Sequence, residues 1–328
     1  MLTYIFRRFL LAIVTVWAIT VLSFVIIQLP PGDFVENYIA SLAASGSSVS
    51  FGQAEAMRAE YGLDQPIYIQ YVKWMGKVLR GDFGVALGWN KPVIEIIGDR
   101  LSLTMIVAIA AIMLTWTVAL PIGIYSAVRQ YSLGDYVFTF IGFIGIAVPN
   151  FMLALILMYL SFKYFNMNIG GLFSPEYELA PWSLDKVVDL LKHLVLPALI
   201  LGWAGTAQLI RIMRANLLDE LRKPYVVTAR AKGLSETRVI LKYPVRAALN
   251  PFASTLGYYF PYVVSGSIIV SLVLGLPTVG PLLLKALQAQ DMFLAGAIIL
   301  MLGVMTVIGT FVSDLILMWI DPRIRMEG

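Results

Sequence analysis

The 328-residue chain has no cysteine and one histidine, His193. The first absence excludes disulfides, thiolate metal sites and cysteine nucleophiles together, and leaves the redox compartment unread. The second, with no H-E-x-x-H and no G-x-S-x-G, removes the common metal and nucleophile–base signatures of a membrane enzyme. No G-x-x-x-x-G-K-[ST] occurs: "GLPTVGPL" has glycines but lacks the Lys-Ser/Thr end, so the chain has no cradle for nucleotide phosphates. Charge is scarce too. Only 13% of residues are charged, where a soluble domain carries about a quarter. With 59% hydrophobic residues and a mean hydropathy of +0.81, the solvent must be a bilayer.

What is present is a series of long apolar runs. Crossing a bilayer takes about 20 predominantly apolar residues as a helix, because every backbone group must be satisfied internally. Six stretches qualify, residues 9–29, 101–128, 136–163, 194–213, 251–274 and 292–320. The first follows Arg7 and Arg8 as a signal peptide would, but "QLPPGDF" offers no small-x-small cleavage site, so a retained helix is expected. The fold class expected is therefore an all-α membrane protein, one transmembrane domain over 1–328. Six spans put both termini on one side. That side, with the 129–135 and 211–250 loops, holds 14 Lys/Arg against 10 on the other, and the bias near the spans makes it cytoplasmic.

The outer side then carries a loop region over 30–100. Within it the Ala/Glu/Met/Arg run is expected to be helical and to stop near Gly62, and "IYIQYVKWMGKVL" has the spacing of an amphipathic helix lying on the membrane or the bundle. A second outer loop over 164–192 is rich in Pro, Gly and aromatics. His193, at its end, reads as an interfacial or packed residue.

The cytoplasmic insert 214–250 carries most of the information. Nine Lys/Arg lie between Arg211 and Arg246. Pro224 suits the first turn of a helix, "YVVTARAK" continues it for about two turns, and Gly233 suits the left-handed position past its end. Ser235 is an N-cap for a second helix, which Pro244 ends or kinks. A two-turn helix scarcely forms alone in water, so something must pack against it. Anionic lipid headgroups or a soluble partner would both account for the cations; no nucleic-acid partner is expected.

The run "PYVVTARAKGLS" followed by "RVILKYPVRAALNP" resembles the coupling loop of permease subunits of ABC-type importers, specifically the oligopeptide/dipeptide family. The likeness extends along the chain: "MLTYIFRRFL", "PPGD", "YGLDQPIYIQYVKW", "RGDFG", "KPV", "HLVLPALILG" and "WIDPRIR". It implies a bacterial or archaeal inner-membrane location and no enzyme activity in this chain. ATP and Mg are handled by two partner ATP-binding subunits, and no cofactor is bound here. A second homologous permease and an extracytoplasmic solute-binding protein complete the importer. In the family the paired helices form a coupling helix seated in a cleft of the ATPase. Val227, Thr228 and Ala229 stand where the broader motif has Glu-Ala-Ala, and Gly233 matches its glycine. The ATPase-coupling residues so implied are Tyr225, Thr228, Ala229, Arg230, Lys232, Gly233, Leu234, Ser235 and Arg238, with Arg230, Lys232 and Arg238 offering donors to the partner's carboxylates.

Prolines 121, 149, 197 and 261 are expected to interrupt spans, which lipid tolerates where a polar cavity or neighbouring helices satisfy the freed carbonyls. Gly142, Gly145, Gly202 and Gly205 are expected to let helices approach closely. Polar candidates for the translocation pathway are Asn150, Thr206, Gln208, Tyr258, Tyr259, Ser265, Ser267 and Ser271, though Ser and Thr in spans often bond only their own helix. Asp314, an acid within an apolar run, reads as a structural ion pair with Arg211, Arg214 or Arg246, or as a gating or proton-coupling group. Peptide permeases tend to have Glu-x-x-Phe-x-Trp-Pro-Gly where this chain has Ser271-x-x-Leu274-x-Leu276-Pro277-Thr278. That departure opens an oligosaccharide solute beside an oligopeptide one. A proton-coupled secondary transporter is the alternative to an ATP-driven importer.

Overall fold

The computed structural model describes residues 2–28, 35–36, 39–40, 51–166, 169–254 and 256–320. These are mostly helical, joined by turns and loops, with a two-residue antiparallel ladder, β1 (Val85–Ala86) with β2 (Lys91–Pro92), registered Val85 to Pro92. The helices are α1 (Leu2–Ile27), α2 (Phe51–Tyr61), α3 (Ile67–Val78), α4 (Val93–Val128), α5 (Leu133–Ala147), α6 (Asn150–Phe165) and α7 (Pro175–Glu178). They continue as α8 (Leu184–Leu221), α9 (Pro224–Ala231), α10 (Glu236–Lys242), α11 (Pro244–Ser254), α12 (Leu256–Val273), α13 (Val279–Gln288) and α14 (Met292–Ile320). Four helices, α1, α4, α8 and α14, are long and apolar enough to cross a bilayer, and the α5–α6 pair makes five if counted as one span. The protein is thus an all-α membrane protein.

The expected single span over 136–163 is broken. Residue 149 is proline, which has no N–H for the carbonyl four residues earlier, and α5 and α6 meet there at 105°. The other three prolines do not interrupt their helices: Pro121 lies inside α4, Pro197 inside α8 and Pro261 inside α12. The second outer loop is shorter than expected, because α8 starts at Leu184, where the Ser183 hydroxyl caps it by accepting the Lys186 N–H at 3.2 Å. At 38 residues, α8 is about 57 Å long at 1.5 Å per residue, nearly twice the hydrocarbon thickness.

The chain packs as two compact units. One comprises residues 1–4, 104–277 and 308–328. Its core joins α4, α8, α10 and α11 through Ala119, Met213, Leu217, Ile240, Val245 and Ala248. Glycines permit the close approaches within it: a Cβ on Gly145 would strike the Trp203 ring, and one on Gly205 the Tyr259 ring. Trp203 also donates its indole N–H to the Ile141 carbonyl at 3.1 Å. Two carboxylates fix its ends. Asp135, nearly fully buried, takes a two-point contact from Arg214 at 3.2 and 3.0 Å and the Tyr131 N–H at 3.0 Å. Asp189 accepts both the N–H and the hydroxyl of Ser174 at 2.7 Å, and His193 packs beside it with Nδ1 2.9 Å from the Asp189 carbonyl.

The other unit comprises residues 5–103 and 278–307. Here α3 lies against the bundle, burying Trp74 among Phe24, Tyr71 and Gly296. The Tyr71 and Thr20 hydroxyls meet at 2.9 Å. The ladder, which the sequence did not suggest, is held by Asp291, which is fully buried just before α14. Its carboxylate accepts the Leu87 N–H at 2.7 Å and caps α14 through the Leu294 N–H at 3.1 Å. Burial pushes this carboxyl above the ordinary 3.8, against the pull of those N–H groups.

Candidate functional site: the helical elbow and the polar break

Helix α9 starts at Pro224, ends with Lys232 as its cap, and is followed by Gly233 at φ +77°, a left-handed conformation that a Cβ would strain. Ser235 stands at the N-cap of α10 in extended conformation, without a side-chain hydrogen bond. Helix α10 ends at Lys242, and Pro244 begins α11 rather than kinking α10. The local sequence signals therefore fold as a helical elbow.

What packs against the two-turn helix is the elbow itself. Val226, Ala229 and Val239 form a small core with Leu234 and Tyr243 over it. On the far side of α10, Ile240 joins the α8 core beside Met213 and Leu217. The elbow is thus fixed to the C-terminal third of α8. At its entrance the Glu220 carboxylate accepts from Lys223 Nζ at 2.6 Å and from the Tyr225 hydroxyl. Partial burial, and then that bond to Glu220, push the Tyr225 phenol above its ordinary 10.

The turn is clamped by Arg230, which meets Glu236 through Nε at 3.2 and 3.0 Å and Nη2 at 2.6 Å. The guanidinium's hydrogen bonds hold the Glu236 carboxyl below its ordinary 4.5, and the carboxylate raises Arg230 in turn. Arg230 thus directs its Nε and Nη2 donors at its own chain. Lys232 and Arg238 make no ion pair among the described residues. Of the nine coupling residues, Tyr225, Thr228, Arg230, Lys232, Gly233, Ser235 and Arg238 are exposed. Ala229 faces inward at 6% exposure and Leu234 is half-buried, so these two hold the elbow together. Val227, 58% exposed on α9, is the apolar side chain the free surface presents beside Tyr225. Its signal was its place in the importer motif, and it lies about 100° around α9 from buried Val226.

The pathway residues divide. Tyr259 is buried, its hydroxyl 3.1 Å from Thr115 Oγ1, which donates to the Gly202 carbonyl. Ser267 and Ser271 are buried as well. Thr206, Ser265 and Ser267 spend their hydroxyls on their own helices, at the carbonyls of Gly202, Tyr262 and Val264. Gln208 is exposed on α8, and the Tyr258 side chain lies outside the described residues. Asn150 lines a cavity of about 230 Å³ at the α5–α6 break, with Tyr262 and Gly266 of α12 opposite, and Thr206 borders a separate, apolar groove between α4, α5 and α8. Tyr262 was missed; its signal was the i, i+4 spacing to Gly266 on one helical face. Arg214, expected near Asp314, is committed to Asp135, and Asp314 is itself engaged.

Two family models match the chain. Residues 119–326 match the binding-protein-dependent transport system inner membrane component, and residues 1–108 match the N-terminal model of the same system's membrane component. Among curated proteins, the oligopeptide transport system permease protein AppB of Bacillus subtilis is 36% identical over 326 residues, covering 99% of this chain and all of the relative. The dipeptide transport system permease protein DppB of Escherichia coli is 29% identical with 99% of each chain covered. The glutathione transport system permease protein GsiC of Salmonella choleraesuis is 31% identical over the full length of both.

Proposed function

The chain belongs to the binding-protein-dependent inner membrane components, in their oligopeptide/dipeptide importer branch, and on that premise we propose that it is one of two permease subunits of an ATP-driven importer for oligopeptides. Its six spans, with both termini cytoplasmic, form half of the path; a second, homologous permease forms the rest. Two ATP-binding subunits dock below and hydrolyse ATP with Mg, and a solute-binding protein delivers solute from outside. The observation that carries this reading is the elbow 224–242: a self-packed, cation-bearing projection on a chain with no nucleotide cradle.

Force applied to Tyr225, Val227, Lys232 and Arg238 passes through the elbow's own core to Ile240 and from there to Met213 and Leu217 of α8. ATP-driven closure of the ATPases then moves the elbow as a lever, and the packed helix follows as a body. Peptide is favoured over oligosaccharide on two grounds. The relatives are named for oligopeptide, dipeptide and glutathione transport. The residues behind the oligosaccharide reading, Ser271, Leu274, Leu276 and Thr278, are at most 2% exposed and so are poorly placed to meet solute.

The test is Gly233→Pro. A ring that locks φ near −65° is incompatible with φ +77°. The expected outcome is a complex that assembles in the membrane and hydrolyses ATP but no longer imports a labelled oligopeptide. Uptake at the unsubstituted level would overturn the coupling assignment.

A further inference from the structure

The broken helix poses a problem of unpaired backbone in a place where water is scarce. Position 149, near the middle of the apolar stretch 136–163, is proline, so the Gly145 carbonyl has lost the donor it would have in a continuous helix. At the start of α6 the Met152 and Leu153 N–H groups both go to the Pro149 carbonyl, at 2.9 and 3.0 Å. The Asn150 and Phe151 N–H groups have no partner among the described residues. An unsatisfied backbone group in hydrocarbon costs several kcal/mol, so broken helices occur at membrane depth only where protein or a water-filled cavity meets them.

A cavity is there. It has room for several waters, and it is bounded by the break on one side and by Tyr262 and Gly266 of α12 on the other. Its wall mixes polar and apolar atoms and contains no ionisable group apart from the Tyr262 phenol. The groove on the other face of α5, against Trp203 and Leu114, is almost wholly apolar by comparison.

We propose that the α5–α6 break is a water-filled, uncharged section of the solute path, in which the main-chain N–H groups of Asn150 and Phe151 and the Asn150 amide hydrogen-bond the main-chain carbonyls of a passing peptide. The chemistry suits a solute whose side chains vary. Peptide carbonyls are common to every sequence, and the donors carry no formal charge, only the partial positive charge of the α6 N-terminus. A route must bind its cargo weakly enough to release it. This rests on the permease assignment above, and the experiment separates the two.

The absence of cysteine makes the experiment direct, since single-cysteine variants carry no other thiol in this subunit. Asn150→Cys and Gly266→Cys are compared, in the assembled transporter, with Phe140→Cys and Leu155→Cys, which lie on exposed apolar surface of α5 and α6. A Cβ at Gly266 meets nothing within 4 Å, so that variant fits without repacking. The probe is a small cationic thiosulfonate, which reacts with thiolate and so needs water at the sulfur. Reaction at positions 150 and 266 should be at least about tenfold faster than at 140 and 155, the effect of one pKa unit of desolvation at the dry thiols. Saturating tetrapeptide with ATP should slow it. Equal rates at all four positions would overturn the water-filled break, and fast reaction indifferent to peptide would overturn the solute contact. Peptide uptake by the unsubstituted transporter reads the permease assignment separately.

Discussion

Arg230 illustrates how one side chain can be assigned two jobs. Its position in the family motif suggests a donor to the ATPase, yet its guanidinium closes the Gly233 turn against Glu236. Both side chains are more than two-fifths exposed, so the pair contributes only about 0.2–1 kcal/mol to stability after solvent screening. Its effect is on geometry: it bridges α9 and α10 across the Gly233 turn. Arg230→Glu should lower the ratio of peptide imported to ATP hydrolysed, and Arg230→Glu combined with Glu236→Arg should restore most of it. A double variant as poor as the single one would mean that Arg230 serves the partner instead. The pH dependence has a definite sign. Glu236 has its carboxyl depressed in the folded chain, so the pair contributes fully above the ordinary 4.5 and is lost only as pH falls through the lower folded value. Between pH 5 and 8 the ratio should therefore be flat as far as this pair is concerned.

At the scale of elements, the elbow was legible because its determinants are local. Pro224, Gly233, Ser235 and Pro244 each act on the backbone within a turn of themselves, and each stands at a boundary in the structure. The break at Pro149 was only partly legible. Four prolines looked alike in sequence, and which one parts a helix depends on what neighbours offer the freed carbonyl, a tertiary fact. The fixing carboxylates were illegible for a related reason. Asp135 finds Arg214 79 residues away, and Asp291 finds Leu87 204 away; only the position of Asp291 directly before an apolar run hinted at an N-cap. The break invites its own substitution. Pro149→Ala returns an N–H to the Gly145 carbonyl and removes about 3 kcal/mol of opposition to a continuous helix. The variant should reach the membrane in normal amount, carry α5 on into α6, and lose most peptide uptake. Normal uptake, with Asn150→Cys still reactive in the Pro149→Ala background, would show that the bend is fixed by its packing against α8 and α12 and not by the proline.

For the whole molecule, the question is where the energy enters. A proton-driven carrier needs titratable groups along its route, and this chain sets few inside its apolar helices. Asp135 is tied to Arg214 beside the first turn of α5, Asp291 to backbone N–H groups just before α14, and Asp314 is engaged. The cavity at the break has no carboxylate. An acid held by a guanidinium or by backbone donors at both ends of the cycle cannot pick up a proton on one side and release it on the other without surrendering those bonds. The elbow, by contrast, presents an exposed outer face and packs through its own core onto the longest of the described helices, the kind of mechanical input an external ATPase would require. Energised cells or vesicles in which an uncoupler collapses the proton gradient while ATP is kept high should therefore import peptide at close to the uninhibited rate, and ATP depletion with the gradient intact should stop import. The opposite pattern, import that follows the gradient and ignores ATP, would sink the importer reading, because the chain has no phosphate cradle of its own through which ATP could act.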